Sequence, residues 1–475
     1  MREQGLSLRR CWRLLGVLAL GLNATIALAE GGSGGGGGRP QPSPIETFSS
    51  PPSAAPTTST ASPSPHKHAA HSKVRAAAPV ARPRIVRQSP PATIRVFPPP
   101  AGETRFRRDE ILVEFAPNVP RQNIDLILRR HRLTESEAAP IALLGASMHL
   151  WRIADTRAAG DVLRELGGEP LIASAQPNYL YDLQQSVSAV APAATTAAPQ
   201  YALAKLRVDV TRDLVTGDKV LVAVVDTAID ETHPDLAGIV EARFDAIGGQ
   251  TSTRAHGTSI AGAIAARGSL QGVAPRARIL AARAFETSDA APHGATFSIL
   301  KAIDWAVQAH ARVINMSFAG PQDPAMHRIL GAAFDKGVML VASAGNAGHL
   351  SAPLFPAADE KVLAVTATDS DDKLFDNANI GLYVAIAAPG VDVLLPAPGG
   401  AYGLETGTSV SAALASGVAA LILEHHPELQ PAALRKLLTT TAKPLGAGGH
   451  ESDFGAGLLD ALHALTQSDQ AAPTQ

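Results

Sequence analysis

Cysteine is nearly absent from this chain of 475 residues, the single one being Cys11. That residue falls in a segment with the features of a removable leader, so the rest of the chain can form no disulfide. Aromatic side chains are scarce at 4%, and charged ones at 18% leave almost no excess of either sign, with a formal net charge of −2. Nothing in a balance like this points to a nucleic-acid partner. An exported protein without disulfides relies on core burial, or on bound ions, for its stability.

The leader has three parts. Arg9, Arg10 and Arg13 form a positive start, Leu14 to Leu22 an apolar centre, and Ala27-Leu28-Ala29 a small-residue cleavage site. The apolar centre is interrupted by Asn23 and Thr25 and is too short to cross a bilayer comfortably. Export is therefore expected, to the medium or the cell envelope, with no stable membrane span once the leader is removed. Its loss takes away four arginines and one glutamate and moves the formal charge to −5.

After the leader, Gly31 to Gly38 is nearly all glycine, and Arg39 to Pro100 is rich in Pro, Ser, Thr and Ala. Such a stretch buries too little apolar surface to offset its chain entropy, and it reads as a tether. His66-Lys67-His68 and His71 admit a metal ion, but a solvated, mildly basic linker is the simpler reading. Pattern resumes near Arg107. Glu110 to Phe115 alternates as a strand, Ile124, Ile127, Leu128 and His131 share a helical face, and His149 to Ile153 is a second strand. Val162, Leu163 and Leu166 mark another helix ended by Gly167-Gly168, and Ile172 to Ala175 leads as a strand into Pro177 to Tyr181. The outline is β-α-β-β-α-β, ferredoxin-like.

From Tyr201 onward, apolar runs at Val222–Val225, Ile279–Ala282, Val313–Met316, Met339–Ala342 and Val362–Val365 alternate with helical patterns. This predicts a doubly wound, mostly parallel α/β sheet with its active site at the carboxyl ends of the strands. Asp226 closes the first of those runs, and burial there obliges its carboxylate to find a partner. His256 opens a helix of small residues that suits a rigidly held base. Ser409 follows Gly407-Thr408 at the head of a helix, where backbone N–H groups and the helix dipole favour an anion. A serine before a helix is more commonly an N-cap, and an asparagine between glycines, such as Asn346, is more commonly a turn former.

Together the motifs around Asp226, His256, Asn346 and Ser409 resemble those of the subtilisin-like serine proteases, the subtilases, over roughly Gln200 to Leu465. Asp, His, Ser is one of the few chain orders known for this kind of triad. The resemblance implies that Ser409 is the nucleophile, His256 the general base, Asp226 its orienting carboxylate, and Asn346 an oxyanion donor beside the Ser409 N–H. Ser411 and Ser416 have no role in the motif. His293 reads as a loop histidine, and His233 matches a non-catalytic segment. The small domain before the sheet resembles, more weakly, the family's propeptide, an intramolecular inhibitor and folding aid. The expected organisation is leader 1–29, tether 30–106, propeptide 107–183, connector with the processing bond 184–200, and peptidase 201–468. Polypeptides are the expected substrates.

The family pattern requires no cofactor and leaves a structural calcium ion open. Asp369, Asp371 and Asp372 lie in one loop, but a solvated turn explains them more simply. Three positions depart from the family's pattern. Ala228 stands for the usual glycine after Asp226-Thr227, with strain expected only if φ is positive there. Ala413 stands for a proline after the nucleophile, and Ala319 for a glycine in the wall of the specificity pocket. Two rivals follow: a catalytically impaired, subtilase-like binding or scaffold protein, and an α/β-hydrolase esterase. The latter is disfavoured because Ser411, not glycine, lies two residues after Ser409.

Overall fold

Runs of Val, Ile, Leu and Ala with no polar face need a sheet covered on both sides. In this computed structural model seven parallel strands pair in one sheet. The order is Ile386–Pro389, Val362–Thr368, Met339–Ser343, Val313–Met316, Leu221–Asp226, Arg278–Arg283 and Val240–Asp245. Side chains alternate between two cores. Val222, Val224, Ile314's neighbour Val313 and Val341 pack against helices Ala255–Ala265 and Thr408–His425. Ala223, Val225, Leu340 and Ala342 pack against Thr296–Gln308 and Pro324–Asp335. Strand order reverses direction at Leu221–Asp226, which leaves a crevice at its carboxyl end.

The structure describes residues 95–184, 186–191, 200–249, 255–286, 293–446 and 452–471. The expected leader, most of the expected tether and the greater part of the expected connector lie outside them. The described residues all fall in one compact unit, Ile85–Gln475.

Ahead of the parallel sheet, strands Phe106–Phe115, Leu133–Ile141, Ala146–Ile153 and Ile172–Leu183 and helices Arg121–His131 and Ala159–Leu166 form a β-α-β-β-α-β module. Its strand order, second-third-first-fourth, is the ferredoxin-like one. The period of two in Phe106–Phe115 sorts its residues cleanly. Ile111, Val113 and Phe115 enter the module's own core with Trp151, Val162 and Leu163. Leu112 joins the core that also holds Ala223, Phe297 and Phe318. Glu110 and Glu114, on that second face, accept hydrogen bonds from Asn178 Nδ2 at 2.8 Å and from Arg328. Each large apolar side chain shared between the two layers contributes roughly 1.5–3 kcal/mol on full burial.

Strand Ile172–Leu183 belongs to both layers. Its first half pairs with Phe106–Phe115, and its last residues pair antiparallel with His293–Ala295 on one edge and Phe318–Ala319 on the other. Two corrections follow. His293 is not a loop residue: it opens a short strand, which forms by pairing with distant residues rather than by its own propensity. The stretch expected to be a connector contains a backbone strand, Ser186–Ala191, which pairs antiparallel with Ala401–Thr406 of the hairpin begun by Val393–Ala397. Edge pairing needs only free N–H and C=O groups, so polar, small-residue composition does not forbid it.

Candidate active site

Asp226 ends its strand fully buried, and a buried carboxylate needs donors. It has two. Thr227 N–H reaches Oδ1 at 2.7 Å, and His256 Nδ1 lies 2.7 Å from Oδ2 and 2.9 Å from Oδ1. A carboxylate only accepts, so the imidazole proton sits on Nδ1 and the Nε2 lone pair is free. His256 is held in the first turn of a helix that is buried from His256 to Ala265 and packed on the helix that carries Ser409. Its Nε2 is buried and has no hydrogen-bond partner, and neither has Ser409 Oγ. The structure thus brings Asp226 to His256 directly, while His256 and Ser409 share no hydrogen bond. Contacts of that last kind commonly tighten only when substrate is bound.

Asn346 follows the strand Met339–Ser343. Its Oδ1 accepts from Thr408 N at 3.1 Å and from Thr408 Oγ1 at 2.8 Å, which leaves Nδ2 buried and without a partner. Gly407 has φ +154°, and a Cβ there would lie 2.5 Å from Gln184 O, 2.9 Å from Asn346 Nδ2 and 3.3 Å from Ser409 Oγ. Only glycine lets these three atoms converge. Ser317 Oγ donates to Ser409 O at 3.0 Å and accepts from Asn315 Nδ2 at 2.8 Å, and Ser416 Oγ donates to Asn315 Oδ1 at 3.0 Å. This buried chain holds the Ser409 backbone. Ser411 Oγ is occupied by the carbonyls of Ala388 and Pro389.

Gln184 crosses in front of this cluster. Its N–H donates to Ser317 O at 3.2 Å, and its Oε1 accepts from Asn346 N at 2.7 Å. Thr408 and Gln184 were not singled out from sequence. Thr408 did stand inside the quoted Gly407-Thr408-Ser409 motif, so a signal for it existed. Ala228 is absent from the residues with positive φ, so it carries no strain of that kind. The helix Thr408–His425 runs through Ala413 without interruption. Ala319 pairs with Asp182 and is buried. His233 Nε2 donates to Ala401 O at 2.9 Å and its Nδ1 accepts from Asp235 N, a purely structural use.

No group of three or more His, Cys, Asp or Glu arranged for a metal occurs among the described residues. Asp369 Oδ1 accepts from Asp371 N and Lys373 N, and Asp372 is held by Lys205 and Lys443. Two ammonium groups on one carboxylate do not fit a divalent cation. Another buried carboxylate, Asp323, caps the helix Pro324–Asp335 through Ala325 N and Met326 N. Burial raises its carboxyl above the usual range, against the hydrogen bonds from Thr296 and Gln176 that lower it. Burial likewise pushes the Tyr181 hydroxyl well above its ordinary range.

Residues 217–457 match the model of the subtilase family. Over 256 residues the chain is 34% identical to subtilisin NAT of Bacillus subtilis subsp. natto, covering 52% of this chain and 65% of that one. Over 253 residues it is 35% identical to a subtilisin of Bacillus pumilus, covering 90% of it. A thermophilic serine proteinase of Bacillus sp. (strain AK1) is 32% identical over 313 residues, 75% of its length. Among solved structures, fervidolysin of Fervidobacterium pennivorans, a keratinolytic enzyme related to subtilisin, superposes with a TM-score of 0.65 at 25% identity. That match covers 76% of this chain and 61% of fervidolysin, so the chain spans just under two thirds of that protein and of subtilisin NAT.

Proposed function

The chain belongs to the subtilase family and has its subtilisin-like α/β fold, and from that premise we propose that it is a serine endopeptidase made as a self-processing precursor. Ser409 attacks the carbonyl carbon of a bound peptide while His256 Nε2 takes the hydroxyl proton. Asp226 keeps the imidazole oriented and stabilises its cation without accepting the proton. Asn346 Nδ2 and the Ser409 N–H receive the oxyanion, and His256 then protonates the departing amine. Water repeats the sequence on the acyl-enzyme. The role of the remaining residues is positional: Thr408 aims the Asn346 amide, and the Ser416-Asn315-Ser317 chain holds the Ser409 backbone.

One observation carries the reading. The protein's own chain lies across the site as an extended peptide, paired antiparallel on both edges up to Leu183, with Gln184 O, Asn346 Nδ2 and Ser409 Oγ all close to the space a side chain on Gly407 would fill. It continues as Ser186–Ala191 along Ala401–Thr406. This is β-augmentation of a substrate groove by a tethered segment. The bond after Gln184 is therefore the processing bond, residues 107–183 act as the propeptide, and 201–468 as the peptidase. Asn178 Oδ1 and Gln176 Oε1 of the module cap Phe297 N and Ala325 N, so it also satisfies the first turns of two peptidase helices. That is a physical basis for a folding aid. The leader assigns the chain to an exported location.

The test is the full-length chain and its Ser409→Ala variant, expressed alike. The wild-type product begins at Gln185 and is labelled by a fluorophosphonate; Ser409→Ala stays uncut, folded and unlabelled. Equal casein hydrolysis by both would refute the proposal, and an intact, soluble, unlabelled wild type would favour the scaffold reading.

A further inference from the structure

Tyr181 lies three residues before Gln184 on the strand that fills the groove, and it is fully buried. Its ring meets Phe318 edge to face, with centroids 5.6 Å apart. A Cβ on Gly320 would fall 2.5 Å from the ring, so glycine there opens the space the ring occupies. The hydroxyl points at a carboxylate: Tyr181 Oη is 3.3 Å from Asp323 Oδ2 and 3.5 Å from Pro321 O. Asp323 is only 2% exposed. Its Oδ2 also accepts from Thr296 Oγ1 at 2.6 Å, while its Oδ1 serves the helix cap and Gln176 Nε2 at 2.7 Å. Phe318, Gly320, Thr296 and Asp323 all belong to the peptidase part and stay when the propeptide leaves; Gln176 leaves with it.

We propose that Asp323 makes the enzyme select tyrosine at the fourth residue before the cleaved bond, an inference that rests on the peptidase reading above. The pocket takes an aromatic ring by shape and reads its hydroxyl with a buried carboxylate. Phenylalanine fills the same space but withdraws a donor from a charge that water reaches poorly. A site that hydrogen-bonds a substrate hydroxyl discriminates against the analogue lacking it because the buried acceptor is left short. Thr296 and the two cap N–H groups remain on Asp323, so the discrimination is modest, about tenfold, as for one hydrogen bond to a charged group. Alanine loses the ring contacts as well and is poorer still.

The experiment uses the full-length chain matured by its own processing, and four nitroanilide peptides. These are Tyr-Asp-Leu-Gln and its Phe, Ala and Lys counterparts at the first position. The wild-type kcat/KM for the tyrosine peptide exceeds that for phenylalanine about tenfold. In Asp323→Ser, which keeps a short helix-capping hydroxyl, that ratio falls to within twofold; Asp323→Asn, should the serine variant misfold, brings it below about threefold. Equal wild-type rates on tyrosine and phenylalanine, an unchanged ratio in the variants, or a preference for lysine overturns this inference alone. Absence of hydrolysis of every peptide, with Ser409 unlabelled, overturns the peptidase reading and this inference with it.

Discussion

Asn346→Ala removes a buried, unpartnered side-chain donor beside Ser409 and leaves Thr408 N–H and Oγ1 without their acceptor. The bond to the oxyanion strengthens as charge develops, so the loss falls on kcat, by roughly 10²–10³ or about 2.7–4 kcal/mol, with KM little changed. That range comes from a subtilisin and is carried over to this relative. The structure adds a graded companion. Thr408→Val deletes only the Oγ1 donor at 2.8 Å, while the Thr408 N–H at 3.1 Å still holds the amide. One neutral hydrogen bond is worth about 0.5–1.5 kcal/mol, so kcat falls about threefold to tenfold. Thr408 acts through Asn346, so the double variant is no slower than Asn346→Ala alone. The variant also frees Gly345 N–H, 3.2 Å from Thr408 Oγ1, and the melting temperature is followed alongside. The assay is steady-state cleavage of a nitroanilide peptide by processed enzyme, matured where necessary by a trace of wild type. A loss on KM alone, or full additivity in the double variant, would refute the reasoning.

Three further outcomes are expected. Adding His256→Ala to Ser409→Ala costs little more activity than either change alone, because nucleophile and base work as a unit; a further hundredfold loss in peptide hydrolysis would contradict this. Glu114→Gln in a peptide spanning residues 95–184 weakens its inhibition of the processed enzyme about tenfold, since Glu114 is nearly buried against a partly exposed Arg328; an unchanged inhibition constant would contradict it. Asp323→Asn flattens the pH dependence of precursor stability. Its carboxyl is raised by burial, so its favourable contribution is present below the unfolded carboxyl pKa, near about 3.9, and is lost as pH rises through the folded value. The variant, which still caps its helix, therefore gains on wild type between acidic and neutral pH in thermal melts; a parallel pair of melting curves would contradict this.

Much of the parallel sheet was legible because each buried strand is a short continuous apolar run, as in Leu221–Asp226 and Met339–Ser343. Asp226 and His256 stood out for a related reason: a carboxylate at the end of such a run and a histidine on a helix of small residues each need explaining. Edges were harder to read. Leu133–Ile141 carries the polar run Thr134 to Glu137 and contains Pro140, and Val240–Asp245 alternates without a buried face, so neither shows a core strand's pattern. Ser186–Ala191 pairs with a distant hairpin that its own composition does not announce. Thr408, Gln184 and Asp323 matter through contacts made by distant segments, and no local spacing announces those. Ala228 illustrates the reverse: a departure visible in sequence whose feared strain depends on a φ angle only the fold reveals.

The reversal of strand order at Leu221–Asp226 has a consequence in time. Asp226 ends the sheet's starting strand and His256 follows on one side of it, whereas Asn346 and Ser409 arrive only after the chain has laid down strands on the other side. On the proposed reading, a half-built molecule would own a base without a nucleophile. Self-cleavage after Gln184 would then record that the last long helix, Thr408–His425, has docked, and the cut would be a clock that starts only on completion. Under that proposal no separate inspector would be needed to tell finished copies from unfinished ones, because only finished copies would change length.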